Sequence, residues 1–324
     1  MPTAIQFYKN GGPEVLELKE VAVGDPGPGE VRVHHMACGI NMIDVYQRTG
    51  LYKIPLPSGA GTEGSGVVEA VGIGVTHVKP GDRVAYAGGP LGAYSEVRIM
   101  PADRLCILPA SLSFEQGAAM MLKGLTAQYL LRRTYKVQPG DTVLFHAAAG
   151  GVGLIACQWL KALGATVIGT AGSDEKCELA QNHGADYCIN YRKDKFAERV
   201  KEITKGAGLP VVYDSVGKET FMESLDCLRP LGLMVSFGNS SGPVSPFELA
   251  VLSQKGSLYV TRPTLATYTA KRQDLEAMSK DLFDIVTSGK VKIEIGQRYE
   301  LTNASQAHRD LESRKTTGSS ILIP

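Results

Sequence analysis

The stretch that decides the fold lies at residues 140–153 and reads GDTVLFHAAAGGVG. Its residues 142–146 are apolar or β-prone and predict a buried strand, and a turn with almost no side chains follows them. Apolar residues then recur at helical spacing over residues 152–163, and residues 166–170 have the character of another strand. This order predicts a β-α-β unit, the building block of a parallel sheet.

The turn of this unit is suited to a pyrophosphate. Ala148, Gly150 and Gly153 have the spacing of a G-x-G-x-x-G turn, with alanine at its first position. Small residues let phosphate oxygens approach the backbone N–H groups at the start of the helix. A Gly-rich turn alone is more often an ordinary loop, but its place between a strand and a helix indicates a dinucleotide site.

The end of the second strand predicts which dinucleotide is preferred. Sites for NAD usually carry Asp or Glu there, to bind the ribose 2′-hydroxyl. Here the strand ends in Thr-Ala-Gly-Ser, finishing at Ser173, and Lys176 and Tyr191 follow. A phosphate on the 2′ position would meet hydroxyls and a cation, so we expect NADPH. The alternative is that Lys176 is a solvated lysine, since Asp174 and Glu175 adjoin it.

Composition agrees with an enzyme and argues against several other classes. The chain has 324 residues, of which 44% are hydrophobic, and a net charge of +1, which predicts a large core in two domains. Near-neutral charge argues against nucleic acid as a main partner. No apolar stretch has membrane-spanning length, and the first residues lack the pattern of a signal peptide. With six scattered cysteines and no CxxC pair, we expect reduced thiols and a cytoplasmic protein.

The pattern of elements divides the chain into an irregular β domain and a doubly wound α/β domain. Short strand signals separated by Gly- and Pro-rich turns occupy residues 1–123. Strands and helices alternate over residues 124–262, which predicts a parallel sheet. Residues 263–324 carry a long helix, a shorter helix and two strand candidates, and we expect them to return to the first domain.

Further motifs identify the family that the chain resembles. They include GTEGSG at 61–66, PGDRV at 80–84, GAYSE at 92–96 and KGLTA at 123–127. With the turn at 140–153, they resemble the zinc-free NADPH:quinone oxidoreductases of the zeta-crystallin type, in the medium-chain dehydrogenase/reductase superfamily. The resemblance covers essentially the whole chain. It implies a GroES-like catalytic domain and a Rossmann nucleotide-binding domain.

Zinc dehydrogenases of this superfamily bind catalytic zinc through residues that differ here. The first cysteine of their pattern corresponds to Asn41 and the histidine to Thr62, and residues 120–123 offer neither thiol nor imidazole. The cysteines of the structural zinc lobe are missing from residues 86–98. Zinc needs a convergent set of thiolate, imidazole or carboxylate ligands, so we expect no metal. Cys38 lies off the required position, and we expect it to pack beneath the active-site loop.

Without zinc, a quinone is a more plausible substrate than an alcohol. Zinc in alcohol oxidation stabilises an alkoxide as a Lewis acid. A quinone is already electrophilic, so hydride transfer from NADPH needs only hydrogen-bond stabilisation of the oxygen that gains charge. The expected reaction is therefore NADPH-dependent quinone reduction.

The resemblance points to catalytic residues in the segment 41–46, interpreted as a loop. Asn41 is expected to orient the nicotinamide or a quinone oxygen, and Tyr46 to donate a hydrogen bond or relay a proton. Tyr52 and Arg262 are second choices. Tyrosines at a domain edge usually pack without chemistry, which is the alternative for Tyr46 and Tyr52.

Other polar residues are expected to have structural roles. His34 and His35 lie in a predicted strand, and His146 lies at the end of the strand before the Gly-rich turn. Glu63 is expected to support the site and not to transfer a proton.

The resemblance also implies the cofactor contacts and a dimer. The implied contacts are Asn41, Tyr129, Gly151, Val152, Gly172, Ser173, Lys176, Tyr191, Val216, Phe237, Gly238, Asn239, Ser240 and Arg262. A strand near residues 257–261 is expected at the edge of the Rossmann sheet, pairing with its copy in a second subunit. Such pairing covers an edge that would otherwise promote aggregation.

Other functions remain open at this point. Reduction of an activated double bond in a 2-alkenal or enone would use the same cofactor and geometry. A non-catalytic NADPH-binding role, crystallin-like or RNA-binding, belongs to another class, and the near-zero charge argues against RNA. A zinc alcohol dehydrogenase is disfavoured by the missing ligands.

Overall fold

The computed structural model describes residues 1–324, which fold as two units. The first comprises Met1–Leu125, Thr269–Thr287 and Ile293–Pro324, and the second comprises Thr126–Tyr268 and Ser288–Lys292. The sequence pattern predicts boundaries after residues 123 and 262. Within the second unit, residues 263–268 and 288–292 are additions that local sequence did not indicate.

Two contacts explain these additions. The ring of Tyr268 stacks on that of Tyr129, with centroids 4.5 Å apart and an interplanar angle of 7°. The side chain of Gln158 donates to Lys292 O at 3.0 Å and accepts from Lys292 N at 2.9 Å.

The elements are numbered in chain order. The strands are β1 Thr3–Phe7, β2 Glu17–Glu20, β3 Glu30–Ile40, β4 Ser58–Gly59, β5 Glu63–Val71, β6 Arg83–Ala87, β7 Val97–Pro101, β8 Cys106–Ile107, β9 Thr142–Phe145, β10 Thr166–Ala171, β11 Tyr187–Asn190, β12 Leu209–Asp214, β13 Leu228–Ser236, β14 Tyr259–Thr261, β15 Ile295–Glu300 and β16 Ser319–Ile323. The helices are α1 Met42–Thr49, α2 Phe114–Tyr129, α3 Gly151–Ala162, α4 Asp174–Asn182, α5 Phe196–Ile203, α6 Phe221–Leu225, α7 Ala250–Gln254, α8 Leu265–Tyr268, α9 Arg272–Thr287 and α10 Ala304–Glu312. None of these helices combines the length and apolar character needed to cross a membrane.

The first unit is built on a mixed seven-stranded sheet around β3. The strand order is β15-β16-β3-β5-β6-β8, and β7 also pairs with β3. A separate three-stranded sheet, in the order β2-β1-β4, is formed near the start of the chain. Val31 and Val33 of β3 are fully buried, and they pack with Val68 of β5 and Val84 of β6. Strand β3 ends at Ile40, which directly precedes Asn41.

The second unit is a parallel six-stranded sheet in the order β11-β10-β9-β12-β13-β14. Counted from β9, this is the 3-2-1-4-5-6 order of the doubly wound nucleotide-binding fold. Its core includes Leu144, Ile168 and Val212, which are buried in three adjacent strands. The expected fold class, an α/β protein with a GroES-like β domain and a Rossmann domain, is confirmed.

The predicted β-α-β unit is present as β9, α3 and β10. Thr142 of β9 pairs with Thr166 of β10 in parallel register. The first strand ends at Phe145, one residue before the expected end, and the backbone N–H of His146 donates to Tyr213 O at 3.0 Å. The sequence pattern therefore located this unit correctly.

The segment interpreted as a loop at residues 41–46 is instead the start of helix α1, so that interpretation was wrong. Asn41 is extended, with φ −139° and ψ 153°, and its backbone N–H donates to Asp44 Oδ2 at 2.9 Å. Gly50 ends the helix in the left-handed conformation, with φ 83°. An Asn followed three residues later by an acid is a capping pattern, and it could have predicted this helix.

Candidate active site

Most of the cofactor residues expected in the second unit lie where parallel strands end. Such sheets bind ligands beyond the carboxyl ends of their strands. In strand order these residues are Gly151 and Val152 after β9, Gly172 and Ser173 after β10, Tyr191 after β11, Val216 after β12, Phe237, Gly238, Asn239 and Ser240 after β13, and Arg262 after β14. Lys176 lies in the first turn of α4, which follows β10.

The first turn of α3, which follows β9, has room only for glycine at one position. A Cβ on Gly153 would lie 2.5 Å from Ala148 O and 2.7 Å from Ala148 C, both backbone atoms. Gly150 is the extended residue before α3, and no side chain caps this helix. The first N–H groups of a helix have no partner within it, and the helix dipole favours an anion there. This cradle of bare backbone fits a pyrophosphate.

Gly172 brings the residues expected to bind a 2′-phosphate together. A Cβ at position 172 would lie 2.7 Å from the hydroxyl oxygen of Tyr191, so glycine is what allows that tyrosine to approach. Ser173 caps α4 by accepting the N–H of Lys176 at 3.3 Å. The hydroxyl of Tyr191 and the turn that bears Ser173 and Lys176 thus lie together at the end of β10, and these are residue types that bind phosphate.

The two acids beside Lys176 have donors of their own. Asp174 accepts from Asn190 Nδ2 at 2.8 Å and pairs with Lys193, whose hydrogen bond lowers the pKa of that carboxyl. A hydrogen bond with Ser173 lowers the pKa of Glu175 in the same way. Each carboxylate thus has a hydrogen-bond donor other than Lys176.

The ends of β12 and β13 are held by two polar side chains, of which Asp214 was not singled out from the sequence and Arg262 was. Buried Asp214 accepts the backbone N–H of Val216 at 2.7 Å and that of Gly217 at 3.1 Å. Arg262 Nη1 donates to Gly238 O at 3.1 Å. Arg262, a second choice for catalysis, thus contacts the backbone that follows β13.

Tyr129 differs from the other expected contacts because it lies at the end of α2. It is 2% exposed and stacks on Tyr268. Its role in cofactor binding stays a prediction, and Tyr268 is a neighbour that sequence reasoning missed.

In the first unit, Asn41 is held by a buried carboxylate. Its Nδ2 donates to Glu63 Oε2 at 2.7 Å, and Glu63 Oε1 accepts the N–H of Leu122 at 2.7 Å. Lys123 Nζ donates to Ile40 O at 3.1 Å and lies 3.5 Å from Glu63 Oε2. Burial raises the pKa of Glu63, and the Lys123 charge opposes that rise. The support role expected for Glu63 agrees with this geometry.

Tyr46 and Tyr52 pack against each other. Their ring centroids are 5.2 Å apart with an interplanar angle of 60°, and the backbone N–H of Tyr52 donates to Tyr46 O at 2.9 Å. Tyr46 is 8% exposed and Tyr52 is half-buried. The structure places the two rings in contact, and both residues follow Asn41 closely along the chain. Their contact with substrate stays a prediction.

A buried polar chain behind α1 was missed. Tyr94 donates to Asp44 Oδ2 at 2.8 Å and lies 3.2 Å from His308 Nε2, while Arg48 Nη1 donates to His308 Nδ1 at 3.2 Å. Arg48 also forms a two-point ion pair with Glu312 at 3.0 and 2.8 Å. Burial raises the pKa of Asp44 to about 7 and lowers that of His308 to about 3. This chain ties α1 to α10.

The three histidines expected to be structural each have a hydrogen-bond partner within the fold. His35 Nδ1 donates to Ser95 O at 2.7 Å, and its Nε2 accepts from Tyr86 at 2.8 Å. Burial lowers the pKa of His35 to about 3. His146 bonds two buried hydroxyls, those of Thr170 and Ser224, each at 2.9 Å. His34 is exposed and lies 3.2 Å from Glu69.

The residues at the positions where relatives would bind zinc do not fit a metal. No group of three or more His, Cys, Asp or Glu residues in the chain could hold an ion. Asn41 is committed to Glu63, and Thr62 Oγ1 is buried without a hydrogen-bond partner. Cys38 is fully buried and contacts Ser95 O at 3.9 Å.

Comparison with known proteins settles the family. Residues 27–110 match the model of the alcohol dehydrogenase GroES-like domain, and residues 151–282 match that of zinc-binding dehydrogenases. The chain is 57% identical to quinone oxidoreductase of Pseudomonas aeruginosa over the whole length of both. The chain belongs to the quinone oxidoreductase family of the medium-chain dehydrogenase/reductase superfamily. These matches confirm the family inferred from the motifs.

Two further members of this group bear on the site. A solved structure of Escherichia coli quinone oxidoreductase in complex with NADPH superposes with a TM-score of 0.98 at 56% identity, covering 99% of this chain and 100% of that one. The chain is also 46% identical to 2-haloacrylate reductase of a Burkholderia species, over 100% of this chain and 99% of the relative. The family's members thus differ in the acceptors for which they are named.

Proposed function

We propose that this quinone oxidoreductase family member transfers hydride from NADPH to a quinone without a metal. The observation that carries the proposal is the end of β10, where Gly172 admits Tyr191 and Ser173 caps the turn that bears Lys176. Full-length relatives named quinone oxidoreductase, one of them in complex with NADPH, support it.

The chain's own residues divide the work of binding. The backbone N–H groups at the start of α3, with Gly151 and Val152, hold the pyrophosphate. Lys176 and Tyr191 bind the 2′-phosphate as charged and neutral donors. When bound, NADPH supplies the hydride. The remaining expected contacts, at Val216, at residues 237–240 and at Arg262, line the strand ends that the nicotinamide half would reach.

The reacting end is assigned to the first unit. Asn41 orients the nicotinamide or the quinone oxygen, and its own position is fixed by Glu63. The hydroxyl of Tyr46 donates to the quinone oxygen that gains charge, with Tyr52 packed against it. Preorganised donors of this kind stabilise developing negative charge without a metal.

The test is anaerobic oxidation of NADPH and NADH with 1,4-benzoquinone, 9,10-phenanthrenequinone, a 2-alkenal and 2-chloroacrylate as acceptors. A simple alcohol is tested in the reverse direction, with the oxidised cofactors. Quinone-dependent turnover that prefers NADPH supports the proposal. Turnover with the alcohol alone contradicts it, and NADPH binding without turnover on any acceptor favours a non-catalytic role.

Reduction of an activated carbon-carbon double bond is the second candidate, because the relative with 46% identity is named 2-haloacrylate reductase. Both reactions place hydride on an electrophilic carbon conjugated with an oxygen that gains charge. Turnover of 2-chloroacrylate or the 2-alkenal, with none of either quinone, would transfer the assignment to this reaction.

The proposed assembly is a homodimer through β14. This strand pairs only with β13 and ends the sheet, and Tyr259 and Val260 on it are 60% and 38% exposed. An apolar, unpaired strand edge is a template for a second copy. Val260→Lys should give a monomer by light scattering, while Tyr187→Lys on the opposite edge strand, β11, should not. A monomeric parent protein would contradict the proposal.

The proposed location is the cytoplasm. All six cysteines are free, and five of them are buried. A reducing compartment preserves such thiols. Fractionation of cells that produce the protein, with a periplasmic marker as control, tests the assignment.

A further inference from the structure

Lys123 is a buried cation to which the proposed function gives no role. Its side chain is 8% exposed, and its Nζ contacts Ile40 O and Glu63 Oε2. Ile40 directly precedes Asn41, and Glu63 accepts the side-chain amide of Asn41. An ammonium group is costly to remove from water unless a carboxylate and further acceptors surround it. Here both acceptors of Lys123 Nζ are neighbours of Asn41: Ile40 precedes it in sequence, and Glu63 is hydrogen-bonded to its side chain.

Glu63 is surrounded by hydrogen-bond donors. Its side chain is fully buried, and it receives the N–H of Leu122 and the Nδ2 of Asn41, each at 2.7 Å, with Lys123 Nζ at 3.5 Å. An ionised carboxylate is an acceptor only, and it matches this set. A protonated carboxyl would need an acceptor for its own hydrogen in place of one of these donors.

Other titratable groups face Glu63 from the elements packed around it. Burial is the main cause that raises the pKa of Asp44, Cys38, Tyr86 and Tyr94, and the charge of Glu63 adds to each rise. Cys38 and Tyr86 are raised to about 12 and stay neutral near pH 7. Asp44 is raised to about 7, so its titration has to be separated from that of Glu63 in any test.

We propose that Lys123 is a positioning residue that keeps Glu63 ionised and thereby fixes the orientation of the Asn41 amide. The proposal rests on the proposed function, in which Asn41 faces the reactants. Because Glu63 as a carboxylate can only accept, it selects the nitrogen end of the amide. The oxygen end, Oδ1, then points away from Glu63.

Loss of the cation would remove this selection. A protonated Glu63 can donate as well as accept, so it can bind either end of an amide whose oxygen and nitrogen are nearly the same size. In the reversed orientation a donor stands where the acceptor stood. Hydrogen bonds with the nicotinamide or the quinone oxygen would then be lost in a fraction of the molecules.

The first experiment compares Lys123→Met and Lys123→Arg with the parent enzyme across pH, using NADPH and 1,4-benzoquinone. An opposite charge at this distance shifts a pKa by about 1 to 3 units. We therefore expect the acid limb of the pH profile of kcat/KM to shift to higher pH by about 1 to 3 units in Lys123→Met. Activity should recover at alkaline pH as Glu63 ionises. Lys123→Arg, which keeps the charge, should retain the parent limb. An unmoved limb in Lys123→Met overturns the proposal.

A second pair of variants isolates Glu63 from Asp44. Glu63→Gln cannot titrate, so adding Lys123→Met to it should leave the acid limb where Glu63→Gln alone places it. A limb that still moves in the double variant would mean that Asp44 or another group responds to Lys123, and would refute the proposal.

A direct measurement separates failure of this inference from failure of the proposed function. The ¹³C signal of the Glu63 carboxyl, assigned by its loss in Glu63→Gln, reports ionisation whether or not a quinone is reduced. Its midpoint should rise by about 1 to 3 units in Lys123→Met. An inactive parent enzyme would refute quinone reduction alone, whereas an unmoved midpoint would refute the role of Lys123. If thermal melting shows Lys123→Met to be unfolded, Lys123→Gln removes the charge while keeping a polar group.

Discussion

The hydroxyl of Tyr94 donates to Asp44 Oδ2 at 2.8 Å while its oxygen lies 3.2 Å from His308 Nε2. Arg48 can only donate, so its contact with His308 Nδ1 leaves the His308 proton on Nε2, pointing at Tyr94. The hydrogen bonds therefore run in one direction, from Arg48 through His308 and Tyr94 to Asp44. Asp44 in turn holds the backbone of Asn41, so this chain supports the start of α1.

Tyr94→Phe should lower the free energy of unfolding by about 1 to 3 kcal/mol, the usual cost of leaving a buried polar partner unsatisfied. Both Asp44 and His308 lose a partner, and Asp44 Oδ1 already lacks one. Urea unfolding measures the change, with the exposed Tyr8→Phe as control. Equal stability of the two variants would contradict this account of the chain.

His35 should make stability depend on pH in a direction set by its low pKa. The pKa is about 3 in the fold and 6.5 in the unfolded chain, so between these values the unfolded chain binds more protons. The contribution of neutral His35 to the free energy of unfolding is complete above about pH 6.5 and is lost as pH falls towards 3. About 2 kcal/mol of it is lost at pH 5.

Replacement of His35 tests this sign. His35→Gln should lose about 2 kcal/mol less stability than the parent between pH 7 and pH 5 in urea unfolding. His34→Gln, an exposed neighbour, should behave like the parent. A His35→Gln variant as sensitive to acid as the parent would show that His35 is not held neutral.

Gly150 and Gly153 should respond differently to a methyl group. Gly153→Ala places Cβ against the backbone of Ala148 and should destabilise the protein by about 1 to 3 kcal/mol. At Gly150 the closest atom to a Cβ is Ala147 O at 3.2 Å, and the residue has an ordinary φ of −82°. Gly150→Ala should fold with near-parent stability but weaken the binding of NADPH, because the methyl group would crowd the proposed pyrophosphate site. Equal losses of stability in Gly150→Ala and Gly153→Ala would contradict the different packing described for these two glycines.

Lys176→Ala should weaken the binding of NADPH far more than the binding of NADH. A charged hydrogen bond with phosphate contributes about 1.5 to 3 kcal/mol, or roughly 10- to 100-fold in affinity. Fluorescence titration with both cofactors measures the ratio, and Lys195→Ala, an exposed lysine that pairs with Glu198, is the control. The same loss for both cofactors would show that Lys176 does not bind the 2′-phosphate.

Local patterns predicted the nucleotide-binding half well. Strand, turn and helix follow one another within residues 140–170, and parallel strands gather their carboxyl ends at one edge, where Gly172 after β10 and Tyr191 after β11 lie together. The Gly-rich turn was readable because its packing needs are local, as the backbone contacts at Gly153 show.

The catalytic half was less predictable because its contacts are distant in sequence. Arg48 and His308 are 260 positions apart, and Lys123 and Ile40 are 83 apart. No periodicity reports such pairs. Helix α1 was not predicted for another reason. Its capping residue, Asn41, matches a family position with a chemical role, although Asn is also a preferred residue at the start of helices.

The most direct test of the central claim is anaerobic turnover of 1,4-benzoquinone with NADPH and with NADH, after extensive treatment with a metal chelator. The account predicts that one hydroquinone forms per NADPH consumed, that NADH is the poorer donor, and that the chelator leaves the rate unchanged. Activity that disappears with the chelator and returns with zinc, or hydroquinone formation that prefers NADH, would contradict it.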